Sequence, residues 1–226
     1  MGEIMAHGAQ ITYANEMARK AIHLTSLLIP IIYLHIDRRS AILILTGMTI
    51  VAVVIDVMLQ RHPATKTILM PLLGRMLRPH ETQGQHLRLN GASWVLISAL
   101  LTVIVFPKII AVTAFTVLIV SDSFAALVGR KFGRRRFLDK SIAGSVAFSV
   151  TGVATVMVYA QVYALPWTFL LAGSAGAVAG AITEAASVRL RLDDNLSIPL
   201  SVGCTMWGVG VMLTLLSLPD FAGIPL

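Results

Sequence analysis

Residues 108–136 read KIIAVTAFTVLIVSDSFAALVGRKFGRRR, and their order decides the fold class. After Lys108 the run carries no charge until Asp122. Small residues and two glycines then lead to Arg134, Arg135 and Arg136. A helix needs roughly 20 apolar residues to cross the hydrocarbon of a bilayer, and this stretch supplies them with its bases gathered at one end.

The rest of the chain agrees. Of 226 residues 56% are hydrophobic and only 13% charged, where soluble domains carry about a quarter charged residues. Mean hydropathy is +0.81. The charges cluster and leave long neutral blocks between them, which is the pattern of an all-α, polytopic helical membrane protein. A single integral membrane domain over 1–226 is expected, with about seven transmembrane helices near 21–36, 41–60, 91–106, 108–127, 141–162, 166–186 and 196–218. The segment ATKTILMPLLGRMLR (64–78) is apolar but short and broken by Pro71 and Gly74, so an interfacial or re-entrant piece is expected there.

With seven spans, 15 of the 18 Lys and Arg residues fall on one side and Arg38, Arg39 and Lys108 on the other. The positive-inside rule then makes the N-terminus cytoplasmic and the C-terminus external. Most acids share the basic face, which that rule does not require, so a polar site is expected there. MGEIMAHGAQITYANEMARK lacks the apolar core of a signal peptide, and the first span is expected to act as its own insertion signal. The expected location is a multi-pass position in the cell membrane if the source is prokaryotic. A net charge of +7 fits topology and anionic headgroups. No soluble basic domain accompanies it, so no nucleic-acid partner is expected. The single cysteine, Cys204, excludes an internal disulfide and a multi-cysteine zinc site. In AGSAGAVAGA (172–181), Gly176 and Gly180 form a GxxxG suited to close helix packing, which also permits a homodimer.

Four polar constellations lie on the predicted cytoplasmic face. Asp122, Ala125, Gly129 and Gly133 recur at spacings of three and four, giving a narrow helical face open either to a planar ligand or to a neighbouring helix. GRKFGRRRFLDKS (129–141) is not a phosphate loop of the GxxxxGK type. It brings Arg130 and five further bases to the start of the next helix, where Lys140 and a capping Ser141 suit phosphate, although topological retention explains the arginines equally well. RLDDNLSIPLSVG (191–203) sets Asp193 and Asp194 side by side, which suits Mg²⁺ or a lysine between them; the alternative is a capping turn with Asn195 as the cap and Pro199 in the first turn. In NEMARKAIH (15–23), Glu16, Arg19, Lys20 and His23 share a face, either as a juxtamembrane anchor or as catalytic groups. Glu184 is a fifth candidate, able to bind metal, pair with Arg189 or act as a base, and Asp56 has Arg61 nearby as a partner.

Together these residues resemble the CTP-dependent lipid-alcohol kinases, the family of dolichol kinase, phytol kinase and CTP-dependent diacylglycerol kinase. The CTP-site pattern of that family is Asp-x-x-Ala-x-x-x-Gly-x-x-x-Gly, a spacer, then Lys-Lys-Thr-x-Glu-Gly. Asp122, Ala125, Gly129 and Gly133 match the first part, and Lys140, Ser141 and Gly144 the second, with Ser for Thr. Asp139 stands at the first Lys position, Ala143 at the Glu position, and the spacer is shorter. The Glu–Arg-Lys–His element, Glu81 with GAS (91–93), and DDNLSIP are similar to further family motifs.

The resemblance implies transfer of the γ-phosphoryl group of CTP to the hydroxyl of a membrane lipid alcohol. Asp122 with Asp193 or Asp194 would hold Mg²⁺. Lys140, Arg130 and the backbone after Gly129 and Gly133 would hold the triphosphate. Arg19 or Lys20 would stabilise the transferring group, and Glu184 or His23 would take the alcohol proton. Two other readings remain open: a cytidylyltransferase of the CDP-diacylglycerol synthase type, and a small transporter or scaffold. The latter predicts a polar path through the midplane rather than one polar face.

Overall fold

The computed structural model describes residue 20 and residues 23–61, 89–190 and 192–224. Glu16, Arg19, Glu81 and the 64–78 segment lie outside these residues. The described chain forms α1 (Leu28–His35), α2 (Arg38–Arg61), α3 (Gly91–Val105), α4 (Lys108–Phe132), a hairpin of β1 (Arg136–Phe137) and β2 (Lys140–Ser141), α5 (Ile142–Val162), α6 (Trp167–Leu190) and α7 (Asp194–Leu215). It is an all-α, polytopic membrane protein. Among the described residues, five helices are long and apolar enough to cross a membrane: α2, α4, α5, α6 and α7. The apolar helices His23–His35 and Gly91–Val105 are shorter.

The opening stretch is the centre of the bundle. Ile109, Ile110, Ala114, Val117, Leu118 and Ile119 of α4 are fully buried, and α1, α3, α5, α6 and α7 all pack on that helix. α2 lies outside, against α3, and turns Leu43, Ile50 and Val51 outward. An exposed aliphatic face of that kind suits lipid. α4 also runs further than the expected 108–127, so Gly129 and Lys131 are helical.

Small residues set the helix spacing. A Cβ at Gly152 would lie 2.8 Å from Ala177 Cβ, one at Gly176 2.9 Å from Met206 Cγ, and one at Gly180 2.7 Å from Val202 Cγ2. The GxxxG of α6 is therefore filled by α7, with Phe148 of α5 against Gly180. Close helix packing is therefore the role of the motif within this chain.

The two ends of the bundle use charge differently. At one end Arg38 Nε donates to the Val103 carbonyl at 3.0 Å, and Lys108 Nζ to the Leu34 carbonyl at 3.0 Å. These cations sit on the last carbonyls of α3 and α1, where the backbone lacks donors and the helix dipole is negative. The opposite end collects the C-termini of α4 and α6, the N-termini of α5 and α7, and nearly all the candidate residues.

Candidate active site at one end of the bundle

Asp122 lies in α4 one turn from the last fully apolar stretch. Lys20 Nζ donates to its Oδ2 and, at 3.3 Å, to its main-chain carbonyl. His23 Nε2 is 3.8 Å from the same carboxylate oxygen. Asp122 and Lys20 are thus brought together across 102 residues of chain separation, and all three side chains are largely buried. An ion pair so placed is costly to break, because one charge would remain without its partner.

Lys140 forms the second centre. Its ammonium lies 3.0 Å from Glu184 Oε1 and 3.3 Å from Asp194 Oδ2. Burial alone would lower the Lys140 pKa, but the carboxylates of Asp194 and then Glu184 outweigh it, so the amine is held above its ordinary value. The Asp122 carboxylate adds to the same effect, which places both centres in one electrostatic neighbourhood. Of the options for Glu184, pairing with Arg189 is not the one the structure shows. Arg189 lies one turn beyond Glu184, and its Nε meets Asp139 Oδ1 at 3.1 Å.

The hairpin that carries Lys140 is fastened at its tip. Asp139 N donates to the Ala185 carbonyl at 3.0 Å, and its carboxylate accepts from Arg189 N at 3.1 Å. Arg136 pairs with Ser141 and Phe137 with Lys140 in antiparallel register. The turn needs the left-handed backbone of Leu138, at φ 53°. Sequence reasoning treats Asp139 only as a departure from a pattern. Its partner is distant in sequence, so no local signal marks the tie.

Ser141 is the N-cap of α5, accepting from Gly144 N at 3.1 Å. Ile142 N donates to the Arg135 carbonyl at 3.0 Å. Ser141 is thus the cap expected from the sequence, and two of the first three N–H groups of α5 are already used. Gly133 N is similarly spent on the Gly129 carbonyl at 2.9 Å. The face of Ala125, Gly129 and Gly133 is closed by the start of α5: a Cβ at Gly129 would lie 2.8 Å from Ser141 Oγ and 3.3 Å from Gly144 Cα. Arg130 and the three arginines after it are exposed at this end.

In α7 the cap is Asp193 rather than Asn195. Asp193 Oδ1 accepts from Asn195 N at 3.0 Å and from Asn195 Nδ2 at 2.8 Å. The helix begins at Asp194, ahead of where an Asn195 cap would start it, and the residue before it takes the capping role. Pro199 accordingly falls in the second turn, inside the helix, where it offers no N–H to the Asn195 carbonyl. Asp56 is also corrected: it bonds not to Arg61 but to Asn90 N at 2.9 Å and Ser93 Oγ at 2.7 Å, joining α2 to the start of α3.

A CTP-dependent diacylglycerol kinase of Schizosaccharomyces pombe is 31% identical over 168 residues, covering 67% of this chain and 73% of the relative. The chain belongs to the CTP-dependent lipid kinase family. An uncharacterized protein of Rickettsia prowazekii is 33% identical over 188 residues, 82% of this chain and 90% of that one. A probable chloroplastic phytol kinase of Glycine max is 29% identical over 101 residues, 41% of this chain and 32% of its own length. No family model matches, and no solved structure does. Within the family pattern, the Asp139 found at the first Lys position ties the hairpin to α6, a contact that a lysine beside Arg189 would replace with repulsion.

Proposed function

We propose that this chain transfers the γ-phosphoryl group of CTP to the hydroxyl of a membrane lipid alcohol, a polyprenol or dolichol, phytol or diacylglycerol, at the cytoplasmic membrane face. The observation that carries this reading is the gathering of Lys20, Asp122, Lys140, Glu184 and Asp194 at one end of an otherwise apolar bundle. A transporter or scaffold gives no reason for paired lysines and carboxylates at a single end. Phosphoryl transfer needs positioning and charge neutralisation more than covalent chemistry, and these groups supply both.

The carboxylates suit Mg²⁺. Glu184 Oε2 and Asp194 Oδ1 are buried oxygens with no hydrogen-bond partner among the described residues, and hard oxygen donors are what this ion takes. Asp194 would be one ligand, with Asp193 committed through Oδ1 to its cap and Asp122 close enough to act on the same charges. Bound there, Mg²⁺ supplies neutralisation of the triphosphate charge. Lys140, on a side chain about one-third exposed (32%), would reach the phosphate oxygens, and Arg130 would share that role. Lys20 would steady charge on the transferring group, together with Arg19. His23, next to Asp122, would accept the alcohol proton. The acceptor would approach sideways from the bilayer so that only its hydroxyl meets this end.

Purified protein with Mg²⁺, γ-labelled CTP and a panel of lipid alcohols tests the reading. Label should enter one lipid class with release of CDP, and Asp122→Asn should abolish it. Label in no lipid, with Asp122→Asn matching the parent, sinks the proposal. Pyrophosphate release with the cytidyl group on lipid would instead indicate a cytidylyltransferase.

A further inference from the structure

We propose that Glu184 and Asp194 are the two protein ligands of a divalent cation, and that the Lys140 ammonium holds their place until the cation arrives and sends Lys140 to the phosphates. The proposal rests on the kinase reading for the identity of those phosphates, but the cation exchange itself does not depend on it.

The geometry is that of a shared counter-charge. Lys140 Nζ meets one oxygen of each carboxylate, at 3.0 Å and 3.3 Å. The other oxygen of each, Glu184 Oε2 and Asp194 Oδ1, is buried and has no hydrogen-bond partner among the described residues. A buried acceptor without a donor carries a desolvation cost that the lysine does not relieve. The Glu184 side chain is only 6% exposed, so water has little access to it. A divalent cation between the carboxylates would engage those oxygens.

The charges favour exchange over addition. Two carboxylates and one ammonium leave a net negative site, whereas two carboxylates and a dication are neutral. A dication with the ammonium still in place would be repelled at this range. The scaffold suits such a swap. Glu184 and Asp194 stand on α6 and α7, locked together by Gly176 and Gly180 against Val202 and Met206. Lys140 comes from the hairpin, not from a helix, and its side chain is far more exposed than that of Glu184.

The neighbouring acids are otherwise engaged. Asp193 Oδ1 caps α7, and Asp122 is bonded to Lys20. No group of three or more His, Cys, Asp or Glu able to hold a metal exists among the described residues. Two carboxylates completed by water and phosphate oxygens are the arrangement Mg²⁺ uses most, and Mn²⁺ accepts the same donors.

Mn²⁺ binding to the full detergent-solubilised chain without nucleotide, followed by electron paramagnetic resonance, tests this. Lys140→Ala should bind Mn²⁺ roughly tenfold more tightly than the parent, because a like charge has left the site. Adding Glu184→Gln or Asp194→Asn to that variant should remove the gain. A Lys140→Ala chain that binds no more tightly overturns the proposal, as does a gain that survives Glu184→Gln. Should Lys140→Ala fail to fold, the parent itself decides. Mn²⁺ should raise the rate at which an amine-reactive reagent labels Lys140, and an unchanged rate at saturating Mn²⁺ overturns the exchange. Label transfer from CTP with no change in Mn²⁺ binding would sink this inference alone. Cation exchange with no lipid product would sink the kinase reading alone.

Discussion

Lys140 Nζ lies 3.0 Å from Glu184 Oε1, which ties the hairpin between α4 and α5 to the end of α6. Asp139, one residue earlier, ties the same hairpin to Arg189 one turn further along α6. The hairpin is therefore held at two successive points. The charged end of the bundle is one assembly rather than a set of separate loops.

Asp122→Asn keeps the shape of the side chain and removes the counter-charge of a buried lysine. Breaking such a pair costs about 3–5 kcal/mol, and loss of an electrostatic contact at a reacting centre costs roughly 10²–10³-fold in rate. Thermal unfolding and label transfer measure the two effects. Adding Lys20→Met should restore stability and leave activity lost. Recovery of activity in the double variant would show that Asp122 serves only to neutralise Lys20.

Gly129→Ala tests the close approach of α4 to α5. Its Cβ would meet Ser141 Oγ at 2.8 Å and Gly144 Cα at 3.3 Å, and overpacking of this kind costs about 1–3 kcal/mol. A methyl group added at Gly47 would have nothing within 4 Å. Gly47→Ala should therefore be neutral or stabilising by up to about 1 kcal/mol through helix propensity. Thermal unfolding of both variants checks the contrast. Ser141→Ala added to Gly129→Ala should recover only part of the loss, because the Gly144 backbone stays close.

The helices were legible because a long apolar run has few other uses, and the family resemblance was legible because Asp122, Ala125, Gly129 and Gly133 keep a fixed spacing. Pairings across the bundle were not. Proximity in sequence matches Glu184 to Arg189 and Asp56 to Arg61, yet each finds its partner on another element. Local spacing says which residues share a helix face, and the helix that face meets is decided by packing far away in the chain. The same limit applies to Gly129 and Gly133. A row of small residues reads equally as a ligand platform or a helix contact, and only the position of Ser141 distinguishes the two.

Lys140 should stay charged throughout the usual assay range. Its pKa is raised, so the stability it contributes is fully present below the unfolded lysine value of about 10.4 and is lost only as pH climbs through the higher folded value. The difference in melting temperature between the parent and Lys140→Met should therefore stay constant from about pH 6 to about pH 9.5. A difference that shrinks within that window would mean that the amine loses its proton there, contrary to its position between two carboxylates.

Asp56 offers a test at the junction of α2 and α3. It is 2% exposed and accepts from Asn90 N, Asn90 Nδ2 and Ser93 Oγ. Asn90 in turn caps α3, accepting from Ser93 N at 2.9 Å. The carboxylate thus orients the cap that starts the helix and fastens it to α2. Asp56→Ala leaves the Ser93 hydroxyl and the Asn90 amide without their acceptor, at about 1–3 kcal/mol for each buried group so orphaned. Ser93→Ala removes one donor from an acceptor that keeps others, and should cost about 1 kcal/mol. Thermal unfolding in one detergent should rank parent above Ser93→Ala and Ser93→Ala above Asp56→Ala. Equal melting temperatures for the two variants would mean that Asp56 contributes only through Ser93, and that the Asn90 cap stands without it.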